Sequence, residues 1–171
     1  MTDNKEIIKI SVDSKDLREL YAAFRNLDKD TNDALKAEVW KLSNYVARGM
    51  QMAAEYAPNP RQARIVAQSV KANKDRIPNV TIGGSRIARV SRKKSEKNPL
   101  PKMGQLLFGS EFGSNKQMFP QGGAKFPRWS GRYGGGSRGW WIFPTLRKLQ
   151  PKITRDYHAI VDKYIKKDWA E

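Results

Sequence analysis

The chain has 171 residues, no cysteine and a single histidine, and its formal net charge at pH 7 is +16. This length predicts one domain covering residues 1–171, and the lack of cysteine excludes a disulfide framework and a thiolate metal site. No run approaches the roughly 18 consecutive apolar residues of a membrane-spanning helix, and the N-terminal residues do not have the pattern of a signal peptide.

The positive charge is concentrated in the middle of the chain. Residues 58–150 contain 19 lysines and arginines but only three acidic residues, whereas residues 1–57 have a net charge of −1 and residues 151–171 of +1. This asymmetry favours a polyanionic partner, either nucleic acid or an acidic protein surface, over a merely soluble basic surface.

Hydrophobic periodicity predicts a strand and two helices in the N-terminal third. Lys5–Val12 alternates weakly and predicts a short strand, residues 17–24 have helical spacing, and Thr31–Ala57 is the strongest helical pattern of the chain. The apolar stripe of this long helix contains Leu35, Val39, Leu42, Val46, Met50 and Ala53, and it is widened on one side by Tyr45, Gly49, Met52 and Tyr56.

Trp40 is the exception on the long helix, because it projects among polar residues. One interpretation is a tryptophan covered by a neighbouring segment. The other is a contact with another subunit, since tryptophan is enriched at interface hot spots. The sequence favours neither interpretation.

Proline marks the change from the long helix to shorter elements. Pro58 ends the helix and Pro60 suits the first turn of another, which turns Ala63, Val66, Ala67 and Val70 to one side. Asn79–Gly83 predicts a strand ending in a Gly-Gly turn. Residues 86–97 predict an exposed strand or loop with Ile87 and Val90 as apolar anchors and with the basic residues Arg86, Arg89, Arg92, Lys93, Lys94 and Lys97.

The stretch from Gly104 to Pro144 differs from the rest. An apolar run at residues 106–108 leads to the signature Glu111-Phe112-Gly113, and residues 114–139 then form a segment rich in glycine and basic residues. Ordered loops of about this length are uncommon, and such segments are usually functional or disordered, so this segment predicts an extended basic loop. Its mixture of guanidinium and aromatic groups suits phosphate contacts and base stacking, with Arg128, Arg132 and Arg138 among its cations. A loop that packs its aromatic side chains against a protein partner would have the same composition.

The elements together predict an α+β fold. The long central helix and a C-terminal helix beginning near Pro144 should pack against a small, mostly antiparallel sheet. Pro151 predicts a kink in the C-terminal helix rather than its end. The sheet should contain Lys5–Val12, Asn79–Gly83, part of Arg86–Arg92, and Gly139–Phe143.

Enzymatic chemistry has little support. Nothing in the sequence places an acid or a nucleophile beside His158, and Glu111 is the only carboxylate between Glu96 and Asp156, so a pair for acid–base catalysis is missing. The chain has neither a ligand set for a metal nor a phosphate-binding loop. We therefore expect no enzymatic activity, no metal and no cofactor.

Several short motifs follow one another in an informative order. They are Ala57-Pro58 at the end of the long helix, Ala67-Gln68-Ser69-Val70, Thr81-Ile82-Gly83, Glu111-Phe112-Gly113-Ser114, and Phe143-Pro144 before the last helix. This order resembles the tail-completion, or head–tail joining, proteins of long-tailed double-stranded DNA bacteriophages. The resemblance covers roughly Leu17 to Trp169.

The resemblance implies a small α+β subunit of an oligomeric ring, commonly a hexamer, that completes the tail and joins it to the head connector in the phage neck. Its partners would be further copies of itself, the adjoining connector and tail-tube proteins, and double-stranded DNA in the lumen, with no membrane. The protein would be part of the virion and would be assembled in the host cytoplasm. The alternatives are a tail-terminator or head-closure ring, and a basic nucleic-acid-binding protein.

Two sets of candidate site residues follow. For the subunit interface they are Trp40, Glu111, Phe112 and Gly113: Phe112 would anchor a turn, Gly113 would adopt a conformation that alanine resists, and Glu111 would meet a cation of its own or the next subunit. For contact with a partner or DNA they are Arg86, Arg89, Arg92, Lys93, Lys94, Lys97, Arg128, Arg132 and Arg138.

Overall fold

The structure is a computed structural model that describes residues 7–10, 29–58, 60–74, 79–88, 100–113 and 139–168. The helix expected over residues 17–24 and both ends of the predicted first strand lie outside these ranges. The elements within them are β1 (Ile7–Ile10), α1 (Lys29–Ala53), α2 (Pro60–Ala67), β2 (Lys71–Asn73), β3 (Asn79–Gly83), α3 (Met103–Phe112) and α4 (Ile142–Asp168), and a 3₁₀ turn, Ala54–Tyr56, continues α1.

The three strands form one antiparallel sheet in the order β1-β3-β2. Successive side chains of a strand point to opposite faces, so the register of the central strand β3 decides what each face carries. One face is apolar, through the pairs Ile8–Ile82, Ile10–Val80 and Ala72–Val80. The opposite face carries Lys9, Thr81 and Lys71 in one row across the three strands.

Helix α1 lies on the apolar face of the sheet. Its residues Val46 and Met50 are buried in the same core cluster as Val80 and Ile82 of β3. The predicted stripe is confirmed, because Leu35 is buried as well and the remaining stripe residues are at least partly buried. Helices α2 and α3 complete this core with Ala63, Val66, Ala67 and Leu107.

Helix α4 packs along α1 rather than directly on the sheet. The two helices approach closely at Gly49, where an added Cβ would lie 2.9 Å from Cδ1 of Leu149. Further along, Leu35 packs with Val161 and Tyr164 in a second buried cluster. Helix α4 continues through Pro151, so this proline does not end the helix, as expected from the sequence.

The α+β class with a small antiparallel sheet is confirmed, and the strands predicted at Lys5–Val12 and Asn79–Gly83 correspond to β1 and β3. The prediction that Gly139–Phe143 forms a strand is wrong. Gly139 has a positive φ of 71°, and α4 begins already at Ile142, where its first N–H groups bind a carboxylate instead of a neighbouring strand. The third strand is β2, which the sequence did not predict because it has only three residues.

Two predictions about apolar side chains are also wrong. Ile87 was expected to anchor its segment, but it is 58% exposed and makes only an isolated bridge with Lys102, while the neighbouring Ala88 is fully buried. On α1 and its 3₁₀ extension, Met52 and Tyr56 are 67% and 88% exposed, so they do not widen the buried stripe. Of the predicted strand Arg86–Arg92, the residues after 88 lie outside the described ranges.

We expect Val46→Asp to unfold the protein or to lower its free energy of unfolding by more than about 3 kcal/mol, because an ionised carboxylate would be buried without a partner against the sheet. Ala34→Asp is the matched control, since it adds the same charge at an exposed position of the same helix. Denaturant unfolding of both variants checks this. Equal stabilities would contradict the packing of α1 on the sheet.

Candidate functional site

The side chain of Glu111 joins α3 to the start of α4. Its Oε2 accepts hydrogen bonds from the backbone N–H groups of Trp141 at 3.0 Å and Ile142 at 2.8 Å, and its Oε1 accepts one from Phe143 at 2.9 Å. The side chain is fully buried. We call this arrangement the Glu111 clasp.

The Glu111 carboxylate supplies hydrogen-bond acceptors for the backbone N–H groups at the start of α4. The first N–H groups of a helix have no partners within it, and the aligned peptide dipoles favour a negative charge there. A capping side chain usually comes from the residue just before the helix. In this protein it comes from the last turn of α3, about 30 residues earlier, so one carboxylate caps α4 and also ties two distant segments together.

Glycines lie on both sides of the clasp. Gly113 ends α3 with a φ of 81° and donates its N–H to the carbonyl of Gly109, as expected for a conformation that alanine resists. Gly139 also has a positive φ, and a Cβ built on it would lie 1.9 Å from Oε1 of Glu111. A side chain at residue 139 and the Glu111 carboxylate therefore cannot occupy their places together.

Two opposing effects act on the charge of Glu111. Removal of the carboxylate from water raises its pKa above the ordinary value, and the hydrogen bonds from Ile142, Phe143 and Trp141 lower the pKa part of the way back. The expected cation is not found at this carboxylate among the described residues, because backbone N–H groups occupy both of its oxygens. Glu111 is therefore not available to a neighbouring subunit in this conformation.

Three phenylalanines form a surface patch beside the clasp. The ring of Phe112 lies 6.2 Å from that of Phe108 and 5.7 Å from that of Phe143, measured between centroids. Phe108 is 46% and Phe143 36% exposed, and Phe112 is partly buried between them. We call these residues the Phe patch. Of the four predicted interface residues, Phe112 and Gly113 thus lie at the surface and Glu111 beneath it.

Trp40 lies elsewhere, on the outer side of α1. It is 37% exposed, and its carbonyl accepts a hydrogen bond from the side chain of Asn44 one turn later. A substantial part of its ring therefore remains accessible to another molecule. Neither of the two sequence interpretations of Trp40 is decided by this exposure.

Of the predicted contact residues for a partner or DNA, the structure describes Arg86 alone. Its guanidinium Nη1 donates to the carbonyl of Gln68 at 2.9 Å, just beyond the end of α2, and the side chain is exposed. Arg89, Arg92, Lys93, Lys94, Lys97, Arg128, Arg132 and Arg138 lie outside the described residues. Lys9 and Lys71 were not among the predicted contact residues, because their common row becomes apparent only from the register of β3.

Among the described residues, no group of three histidine or acidic side chains could hold a metal ion. His158 is exposed on α4, with its ring at the edge of Tyr157. A shallow groove of about 320 Å³ lies between α1 and α4. Four charged side chains line it: Lys152 pairs with Asp156, Glu38 pairs with Lys163, and Lys41 is exposed.

No family model, curated protein or solved structure matches this chain. In the part of the chain that the structure describes, no helix combines the length and apolar character needed to cross a membrane. The relationship to the phage neck proteins stays a prediction from the order of the sequence motifs.

We expect the clasp to give a pH dependence of a defined sign. Because the pKa of Glu111 is higher in the folded than in the unfolded protein, folding takes up protons, and the contribution of this group to the free energy of unfolding increases as the pH falls from 7 towards 4. Relative to the non-titrating variant Glu111→Gln, the unmodified protein should gain stability over this range, by at most about 1.4 kcal/mol per pH unit. Denaturant unfolding at several pH values measures the difference. A loss of relative stability on acidification would mean that the hydrogen bonds outweigh burial.

We expect Gly139→Ala to be much more damaging than Gly84→Ala. Both glycines have a positive φ, which costs an alanine roughly 1–2 kcal/mol. At residue 84 the nearest atom to the new methyl group is 3.8 Å away, but at residue 139 the methyl group collides with Glu111. The free energy of unfolding should therefore fall by several kcal/mol more in Gly139→Ala. Similar losses of stability in the two variants would show that the Glu111 carboxylate can move aside at little energetic cost.

Proposed function

We propose that the protein is a structural subunit of an oligomeric ring in the neck of a long-tailed phage, where it completes the tail, joins it to the head connector and lets DNA pass. The order of the sequence motifs first suggests this function. The α+β fold of one long helix, a small antiparallel sheet and a C-terminal helix is compatible with it. The described residues contain no group of three histidine or acidic side chains that could hold a metal ion.

The observation that carries the proposal is the Phe patch on the Glu111-Phe112-Gly113 signature. Single exposed apolar residues are common, but three adjacent phenylalanine rings form the kind of aromatic surface that is enriched in subunit interfaces. The clasp holds Phe112 and Phe143 against each other from beneath. The patch is thus a preorganised surface, which lowers the entropy lost when another subunit binds.

Native mass spectrometry of the purified protein without nucleic acid tests the proposal. We expect one closed oligomer, and we expect Phe108→Ser to shift the population to monomers, because an exposed ring at the edge of the patch contributes to association and little to folding. Met52→Ser removes a comparably exposed apolar side chain on α1 and is the matched control.

The same experiment on Trp40→Ser asks whether that tryptophan belongs to the interface. A protein that stays monomeric at all accessible concentrations, and whose DNA affinity falls steeply with salt, would overturn the ring and support a nucleic-acid-binding protein instead. If Phe108→Ser leaves the ring intact, the Phe patch is not part of the subunit interface.

A further inference from the structure

Among the described residues, the two sides of the sheet differ in the charges that they expose. Among the described residues, every exposed or partly exposed carboxylate lies on α1, on its 3₁₀ extension or on α4. The remaining acidic residue is the buried Glu111, and the three strands contain none. The helical side, which lies on the apolar face of the sheet, is thus the mixed-charge side of the molecule.

The opposite face of the sheet carries cations. Lys9 on β1 and Lys71 on β2 both pair with Thr81 of β3, so their side chains leave the same face on either side of the central strand. Two strand spacings separate their backbones by about 10 Å. Both lysines are exposed, as is Lys74 just beyond β2. We call Lys9, Lys71 and Lys74 the sheet lysines.

Another cation, Arg86, lies in the segment that follows β3 and is held in place. Arg86 is anchored on the carbonyl of Gln68, and the adjacent Ser69 hydroxyl accepts the N–H of Gly83, so the chain after β3 is tied to the chain entering β2. This brings Arg86 to the end of the sheet where Lys71 lies. No ion pair joins Arg86 or the sheet lysines to a carboxylate among the described residues.

The rest of this face is polar. The side-chain amide of Asn73 donates to Asn79 Oδ1 at 3.1 Å and to Thr81 Oγ1 at 3.0 Å; Asn73 and Thr81 are partly exposed, and Asn79 is buried. Apart from Ile7 on β1, the described strands present no large apolar side chain here. A face with exposed lysines and without aromatic anchors suits phosphates better than a protein partner.

We propose that the solvent face of the sheet binds the phosphate backbone of double-stranded DNA through Lys9 and Lys71 on the face itself, helped by Lys74 and Arg86 in the segments that follow β2 and β3. Phosphates along a duplex are densely spaced, and lysine side chains reach them as flexible point charges without reading the sequence. This inference rests on the proposed function in one respect only: if DNA passes through the ring, this is the face that is turned towards it.

The test compares two triple variants with the same net charge. In the sheet triple, Lys9, Lys71 and Lys74 are replaced by glutamine; in the helix triple, the exposed Lys41, Arg48 and Lys148 of α1 and α4 are replaced by glutamine. Binding of a fluorescent 30-base-pair duplex is measured from 50 to 300 mM NaCl. Each lost phosphate contact reduces the slope of log K against log salt by about 0.9, so the sheet triple should lose about 2 to 3 and the helix triple less than 1.

Equal losses in the two triples would overturn the inference, because binding would then follow total charge rather than this face. Polyglutamate provides a second arm. If it competes with the duplex at equal charge concentration, and does so less well against the sheet triple, the face recognises acidic protein rather than DNA and the inference fails. The thermal midpoints of both triples should equal that of the unmodified protein. If the sheet triple loses binding only because it is less stable, which a lower thermal midpoint would show, the inference also fails.

Native mass spectrometry of the same samples separates this inference from the proposed function. If rings form and the two triples bind DNA equally, the proposed function stands and the DNA-binding role of the sheet face is rejected. If the protein is monomeric and only the sheet triple binds DNA with a smaller salt dependence, the DNA-binding face is supported and the ring is overturned.

Discussion

One buried carboxylate caps the start of α4 and ties it to the end of α3. Glu111 leaves the C-terminal end of α3, where the helix dipole disfavours a negative charge, and places it at the start of α4, where the dipole favours it. The same junction contains the buried side chains of Trp141 and Ile142 and the ring contact between Phe112 and Phe143. An interaction of this kind is sensitive to geometry, because each of its three N–H donors would be left without a partner if the carboxylate moved.

Helix α1 separates two kinds of chemistry in the molecule. Along its length it packs on the apolar face of the sheet, and α4 packs on it. Among the described residues, the exposed carboxylates belong to these helices and to the 3₁₀ extension of α1, where several pair with nearby lysines, as Glu38 does with Lys163 at 2.7 Å. The described strands carry no carboxylate, and their charged side chains are Lys9 and Lys71. Cations therefore lie on both sides of the sheet, whereas the exposed carboxylates of the described residues lie on the helical side alone.

The sequence predicted those parts of the fold that repeat a pattern over many residues. The stripe of α1 and the alternation in Asn79–Gly83 are such patterns, and both are confirmed. Helix α3 was missed because Gly104 and Gly109 weaken its helical propensity and only tertiary contacts establish it. The clasp could not be predicted from the sequence, for a different reason. The sequence indicated that Glu111 is important and even that it needs positive partners, but N–H groups of residues 141–143 carry no sequence signal, and a cation was the only partner that could be inferred from side chains.

The clasp also sets how the chain between Gly113 and Gly139 can change over evolution. Its two ends, at Gly113 and Gly139, are fixed next to each other by hydrogen bonds that belong to the folded core. The entropy of closing a flexible loop grows only logarithmically, by about 0.6 kcal/mol for each doubling of its length. We therefore expect variants with a shorter or longer stretch between these two glycines to keep the same core.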